Sequence, residues 1–277
     1  MLSLKERGKT VASNSSYAKI ITHLFFKHYK QGLNLVCFER DEIVEAATEL
    51  HLSRPNNLGD VVYAYRYRKT LPDEIIETQP EGLTWVIVGM GDSSYAFKLV
   101  KLHPIVPNES LLSIKIPDST PEIIGCYALG DEQALLAKVR YNRLIDIFLG
   151  VTAYSLQNHL RTKVREIGQI EIDEVYVAVD KFGRQFVIPV QAKGGSDHHG
   201  VVQTTQDIAW CASKLPDLIC RPISVQFITD TKIAVFELFD DHGEVKVVDE
   251  KHYELVPSDM ISKQDLSAYA LHAKNTR

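Results

Sequence analysis

The chain has 277 residues, 45% of them hydrophobic, and a formal net charge of −5, enough for one large core or two modest ones. No run approaches the roughly 20 apolar residues of a membrane helix, and the polar opening MLSLKERGKTVASNSS has no signal-peptide core, so a cytoplasmic protein without a membrane partner is expected. Residues 1–105 carry 13 Lys/Arg against 12 Asp/Glu, and the remainder 18 against 24, a balance that by itself neither demands nor excludes nucleic acid.

In chain order, SYAKIITHLFFKHYKQG shows helical spacing and stops at Gly32. ERDEIVEAATELHL repeats the pattern with acids in its first turn, where the helix dipole favours them. NNLGDVVYAYRYRKT follows Pro55 as a third helix. GLTWVIVGMG and SSYAFKLVKL then read as strands around a GDSS turn. The stretch 102–122 holds four prolines, which exclude a helix and mark a connector over 103–124 between a domain at 1–102 and another at 125–277.

Beyond it, GDEQALLAKVRYNRLIDIFLG predicts one long helix with Asp131 as its N-cap and Gly150 as its end. TAYSLQNHLRTKVREIG is mixed helix and loop. QIEIDEVYVAV and RQFVIPVQAKGG are strands joined by a DKFG turn, and GVVQTTQDIAWCASKLP is a helix. RPISVQFI, KIAVFELFD and EVKVVDEKHYELV are further strands, and SKQDLSAYALHAK a closing helix. The second domain is therefore mixed α/β. Cys37, Cys126, Cys211 and Cys220 form no metal or CxxC spacing and read as buried free thiols.

Three helices followed by a hairpin is the element order of a winged helix-turn-helix domain, whose third helix enters the DNA major groove. Arg54, Asn57, Tyr65, Arg66, Arg68 and Lys69 lie on or just before that helix. Arg and Asn can read base edges, and Lys and Tyr can hold phosphates.

The DKFG hairpin sets Asp173 near Gln191 and Lys193, which share a face because side chains alternate along a strand. An acid on one strand, then Gln191-Ala192-Lys193 on the next and a helix after it, resembles the PD-(D/E)xK nuclease superfamily, with Gln in place of the triplet's acid. The resemblance covers roughly residues 125–240. It implies a restriction-endonuclease-like mixed sheet and Mg²⁺-dependent hydrolysis of duplex DNA, most simply by a type II restriction endonuclease acting as a homodimer, with no nucleotide cofactor.

In that reading Asp173, Gln191 and Lys193 are catalytic. Asp173, the amide oxygen of Gln191 and the main-chain carbonyl of Ala192 would hold the metal, which prefers hard oxygen ligands. Either Glu171 or a helical acid such as Glu132 would make up for the missing charge at Gln191. Lys193 would stabilise charge developing on the phosphate. Asp197, His198 and His199 read as a solvated loop, and Gln203 and Asp207 as one surface face of the following helix. The neutral triplet leaves two alternatives: a catalytically inactive DNA-binding regulator, and a nuclease specific for branched DNA.

Overall fold

The computed structural model describes residues 15–67, 69–101, 105–127, 132–165, 167–194, 200–241 and 244–275, with side chains described as far as 271. The chain divides into two units: Met1–His103 with Thr162–Ile170, and Pro104–Arg161 with Glu171–Arg277.

In the first unit α1 (Ser16–His28) starts where the Ser15 hydroxyl accepts from the Ala18 amide at 3.1 Å, satisfying a donor that the helix cannot. Its buried stripe, Ile20, Ile21, Leu24 and Phe25, has helical spacing. Next come β1 (Leu35–Glu39), α2 (Glu42–Glu49), α3 (Leu58–Tyr67), the single turn α4 (Asp73–Ile76), β2 (Thr84–Gly89) and β3 (Ser94–Val100). The three strands form an antiparallel sheet in the order β1-β3-β2. Val36 and Phe38 face inward while Cys37 between them faces out.

The core is aromatic, with the Phe25 ring 5.2 Å from Trp85 and 5.1 Å from Phe97. The GDSS turn is present, with Gly91 and Ser93 at positive φ. Strand β1, between the first two helices, was not legible as a strand. It is five residues long and follows a turn, too short to impose a period of two.

The second unit is built on an eight-stranded mixed sheet, in which the end of the β5–β6 hairpin, Thr162–Ile170, is counted with the first unit. Its elements are β4 (Ser113–Pro117), α5 (Glu122–Tyr127), α6 (Glu132–Tyr141), α7 (Leu144–Leu149), β5 (Thr152–Val164), β6 (Gly168–Val179), β7 (Gln185–Lys193), α8 (Val201–Lys214), β8 (Ile219–Cys220), β9 (Ile223–Phe227), β10 (Lys232–Asp241), β11 (Glu244–Val256) and α9 (Lys263–Asn275). The strand order is β4-β11-β10-β9-β7-β6-β5, with β8 against β7.

Opposite faces of the sheet carry different helices. Ile188, Val190 and Ala192 of β7 join Ile223, Val225, Ile233 and Val235 under Leu135, Leu136 and Val139 of α6 and Leu144 and Ile145 of α7. The other face presents Ala234, Phe236 and Leu238 to Val201 of α8 and to Ile105.

Four expectations are corrected. The helix over 131–150 is two helices, because Asn142 is buried and turned to other work. Its Oδ1 accepts from Ser119 N at 2.7 Å, and its Nδ2 donates to Thr120 Oγ1 and Lys138 O, each at 2.9 Å, so the side chain competes with the helix ladder. Arg143 then takes a left-handed φ of 52°. Residues 152–164 are a strand, whose largely exposed side chains show no buried period to read. The proline-rich stretch belongs to the second unit and supplies β4, parallel to β11. Of the four cysteines only Cys211 is buried; Cys37 and Cys126 are exposed and Cys220 is intermediate. The proposed N-cap Asp131 lies outside the described residues. No helix among the described residues is long and apolar enough to cross a membrane.

Candidate active site

The DKFG turn is held by Asp180, whose Oδ1 accepts from Phe182 N at 2.9 Å and Arg184 N at 3.0 Å, and by Gly183 at φ 80°. This Asx-type turn sets the register of β6 against β7, from Val179↔Gln185 to Glu174↔Val190. One step further along, Asp173 meets the end of β7, and its Oδ2 accepts from Ala192 N at 2.8 Å. Glu174 turns to the opposite face, where Arg140 Nε donates to it at 2.9 Å and Ser155 Oγ at 2.6 Å.

Lys193 is the last residue of β7. Helix α6 lies over the other face of that strand, and its first residue, Glu132, brings Oε1 to 3.5 Å from Lys193 Nζ. The Lys193 side chain is 11% exposed and that of Glu132 41%, so the pair joins a sheltered ammonium to an open carboxylate. Burial pushes the Asp173 carboxyl up from 3.8 to about 6, against the opposing pull of the Lys193 ammonium and the Ala192 amide. The negative charges of Glu132 and Glu171 push in the same direction as burial.

Gln191 is 1% exposed. Its Nε2 donates to Asp207 at 3.0 Å (Oδ2) and 3.3 Å (Oδ1), and to the main-chain oxygen of Glu171 at 3.1 Å. Asp207, on α8, is 2% exposed, and burial pushes its carboxyl well above the ordinary carboxylate range. This corrects the expectation of a solvated surface acid. Asp207 follows Thr204 by three residues and precedes Cys211 by four, all three buried, a stripe that helical spacing makes legible. Gln203 has a local partner: its Oε1 accepts from Gly200 N at 3.4 Å at the start of the helix.

Glu171 is also placed differently from the metal ligand expected of it. Its carboxylate is taken up by His159 Nε2 and Arg161 Nε, each at 3.2 Å, because β5 runs beside β6. Its backbone carbonyl accepts from Gln191, and its charge acts on Asp173 from a distance. The parallel pairing of β7 with β9 sets Ser224 beside Gln191 and Gln226 beside Lys193. Both are buried, and Gln226 Nε2 donates to Ile105 O at 2.9 Å. No sequence signal marks this pair, since the parallel neighbour of a strand is chosen by the sheet. Gly195, Asp197, His198 and His199 lie outside the described residues.

Among the described residues no three His, Cys, Asp or Glu side chains group closely enough to hold a metal. The groups that the structure does bring together near the end of β7 are the Asp173 carboxyl, bonded to Ala192 N, the Lys193 ammonium with the Glu132 carboxylate, and the Gln191 amide with Asp207. Carboxylate, amide and carbonyl oxygens are hard donors of the type Mg²⁺ takes, and a cation beside Asp173 would offset the cost that burial places on its charge.

In the first unit, Arg54 and Lys69 are exposed. Asn57 is exposed, but its Oδ1 accepts from Gly59 N at 3.1 Å and so caps its own helix. Arg66 is half-buried, its guanidinium 5.2 Å from the Tyr67 ring centre, and its Nε and Nη2 have no hydrogen-bond partner among the described residues. Tyr65 is corrected: it is 7% exposed and packs in the core of the unit, so its ring cannot reach a phosphate. Helical spacing is the reason, since Val61, Val62 and Ala64 share its buried side. Arg68 lies outside the described residues. The chain matches no protein-family model, no curated protein and no solved structure.

Proposed function

We propose that this protein is a Mg²⁺-dependent endodeoxyribonuclease, with a winged-helix unit that engages duplex DNA and a restriction-endonuclease-like unit that hydrolyses its phosphodiester backbone. The observation that carries the reading is the placement of Asp173, Lys193 and Glu132 at the open end of the β6–β7 hairpin, with Ala192 N bonded to Asp173 at 2.8 Å, Lys193 3.5 Å from Glu132, and the Lys193 ammonium and Glu132 carboxylate both acting on the Asp173 carboxyl.

In this reading Asp173, Gln191 Oε1, the Ala192 carbonyl and Glu132 hold the ion. Bound Mg²⁺ would polarise the phosphate and acidify the attacking water. Lys193 donates to the phosphate oxygens as their charge grows, which lowers the barrier to breaking the P–O bond. The winged-helix part of the reading is supported by the order helix, strand, three helices of which the last is a single turn, hairpin, with an antiparallel sheet ordered β1-β3-β2. A homodimer follows from the need for two sites to cut two strands, and a role in restriction follows from the family resemblance.

One observation favours a second reading, a DNA-binding regulator without activity. With Glu171 engaged by His159 and Arg161 and a neutral Gln191, the site has little charge to attract a cation. Incubating plasmid DNA with the protein, with and without Mg²⁺, separates the readings. Discrete fragments are expected from the parent protein. Asp173→Ala and Lys193→Ala should stay folded and bind duplex, yet cut on the order of 100-fold more slowly or worse. An uncut plasmid supports the regulator, and cleavage confined to branched junctions supports a structure-specific nuclease. Parental cutting by either folded variant removes the active site from this hairpin.

A further inference from the structure

We propose that Asp207 is a positioning residue that aims the amide oxygen of Gln191 at the metal, and that its presence is why residue 191 is an amide and not an acid. The inference rests on the nuclease reading, in which Gln191 Oε1 is a ligand. A primary amide has two different ends and, without instruction, either can face the ligand. Here both N–H groups of Nε2 are used: Asp207 accepts at 3.0 and 3.3 Å, and Glu171 O accepts at 3.1 Å. Turning the amide over would set Oε1 against the Glu171 carbonyl, acceptor against acceptor, and give up both N–H bonds. Gln191 is 1% and Asp207 2% exposed, so no water compensates for the lost bonds. Nε2 is thereby committed to the interior, and Oε1 to the side away from Asp207.

The same geometry disfavours the acid that usually stands in this triplet. A Glu at 191 would lose both N–H donors and set its carboxyl about 3 Å from the Glu171 carbonyl and the Asp207 carboxyl, in a dry interior where two such charges cannot both persist and one group must take up a proton. Asp207 thus acts on the ion only through Gln191.

The test uses Asp207→Leu, which removes the acceptor, Asp207→Asn, which keeps an acceptor oxygen, and Gln191→Glu, which removes both N–H donors. Each is compared with the parent protein in Mn²⁺ affinity without DNA, followed by electron paramagnetic resonance, in melting temperature, and in the Mg²⁺ dependence of plasmid cleavage. Asp207→Leu should weaken Mn²⁺ binding on the order of tenfold, the usual scale for a residue behind a metal ligand, and Asp207→Asn should bind like the parent. Gln191→Glu should melt below the parent at pH 8. Two results would each overturn the proposal: Asp207→Leu, folded, binding Mn²⁺ as tightly as the parent, or Asp207→Asn binding as weakly as Asp207→Leu. If the parent binds Mn²⁺ but is indifferent to residue 207, the positioning role alone falls. If the parent binds no Mn²⁺ and cuts nothing, the nuclease reading falls and takes the positioning role with it.

Discussion

Replacing Asp173 by Asn should make the protein more stable at neutral pH while disabling it. Burial raises the Asp173 carboxyl from 3.8 to about 6 in the folded state, so the folded protein holds this proton more tightly than the unfolded chain does. Below pH 3.8 both states are protonated and the residue costs nothing. Between 3.8 and about 6 the unfolded chain ionises first, and stability falls as pH rises. Above about 6 the whole penalty is present, about 3 kcal/mol at roughly 1.36 kcal/mol per pH unit. Asn removes the charge and keeps an oxygen to accept from Ala192 N, which now lies 2.8 Å from Asp173 Oδ2. At about 2–4 °C per kcal/mol for a protein of this size, Asp173→Asn should melt on the order of 6–12 °C above the parent at pH 8 in the presence of a chelator. The two curves should converge near pH 4. Mg²⁺ should then raise the melting temperature of the parent and not of the variant. A variant that melts at or below the parent at pH 8, or a gap that persists unchanged at pH 4, refutes the buried-charge account of this residue.

Two further outcomes are expected. A Cβ at Gly89 would lie 1.8 Å from the Ile167 oxygen and 2.9 Å from its carbonyl carbon, backbone atoms that cannot swing aside. Gly89→Ala should therefore cost about 1–3 kcal/mol or more in denaturant titration, whereas Gly125→Ala, with nothing within 4 Å, should cost nothing; equal stability of the two variants refutes the steric argument. Arg66→Ala and Lys69→Ala should each weaken duplex binding and flatten its salt dependence by about one unit per lost phosphate contact, while Tyr65→Phe, altered in the core, leaves the slope alone. An unchanged slope in the Arg and Lys variants takes α3 away from DNA.

The sequence by itself determined what neighbours in the chain can decide. The Asp180-Lys181-Phe182-Gly183 turn carries its own hydrogen bonds, so the pairing of β6 with β7, and with it Asp173 beside the end of the Gln191-Ala192-Lys193 triplet, was readable from spacing. The GDSS turn was readable for the same reason, and so was the buried stripe of α1. The third helix is legible as a helix, but the burial of Tyr65 is not, because tyrosine suits both a phosphate contact and the apolar side that Val61, Val62 and Ala64 share.

What only the tertiary structure decided is everything contributed by an element the chain reaches late. Asp207 meets Gln191 because α8 packs on one face of the sheet, and Glu132 meets Lys193 because α6 packs on the other. Glu171 is drawn off by β5, a strand whose exposed side chains gave no period, and Ser224 and Gln226 arrive through a parallel pairing. The physical reason is the same in each case. A turn restricts a few dihedrals and so leaves a local signature, whereas the choice of which faces pack together is made by the burial of the whole apolar surface at once, and no short stretch of residues records it.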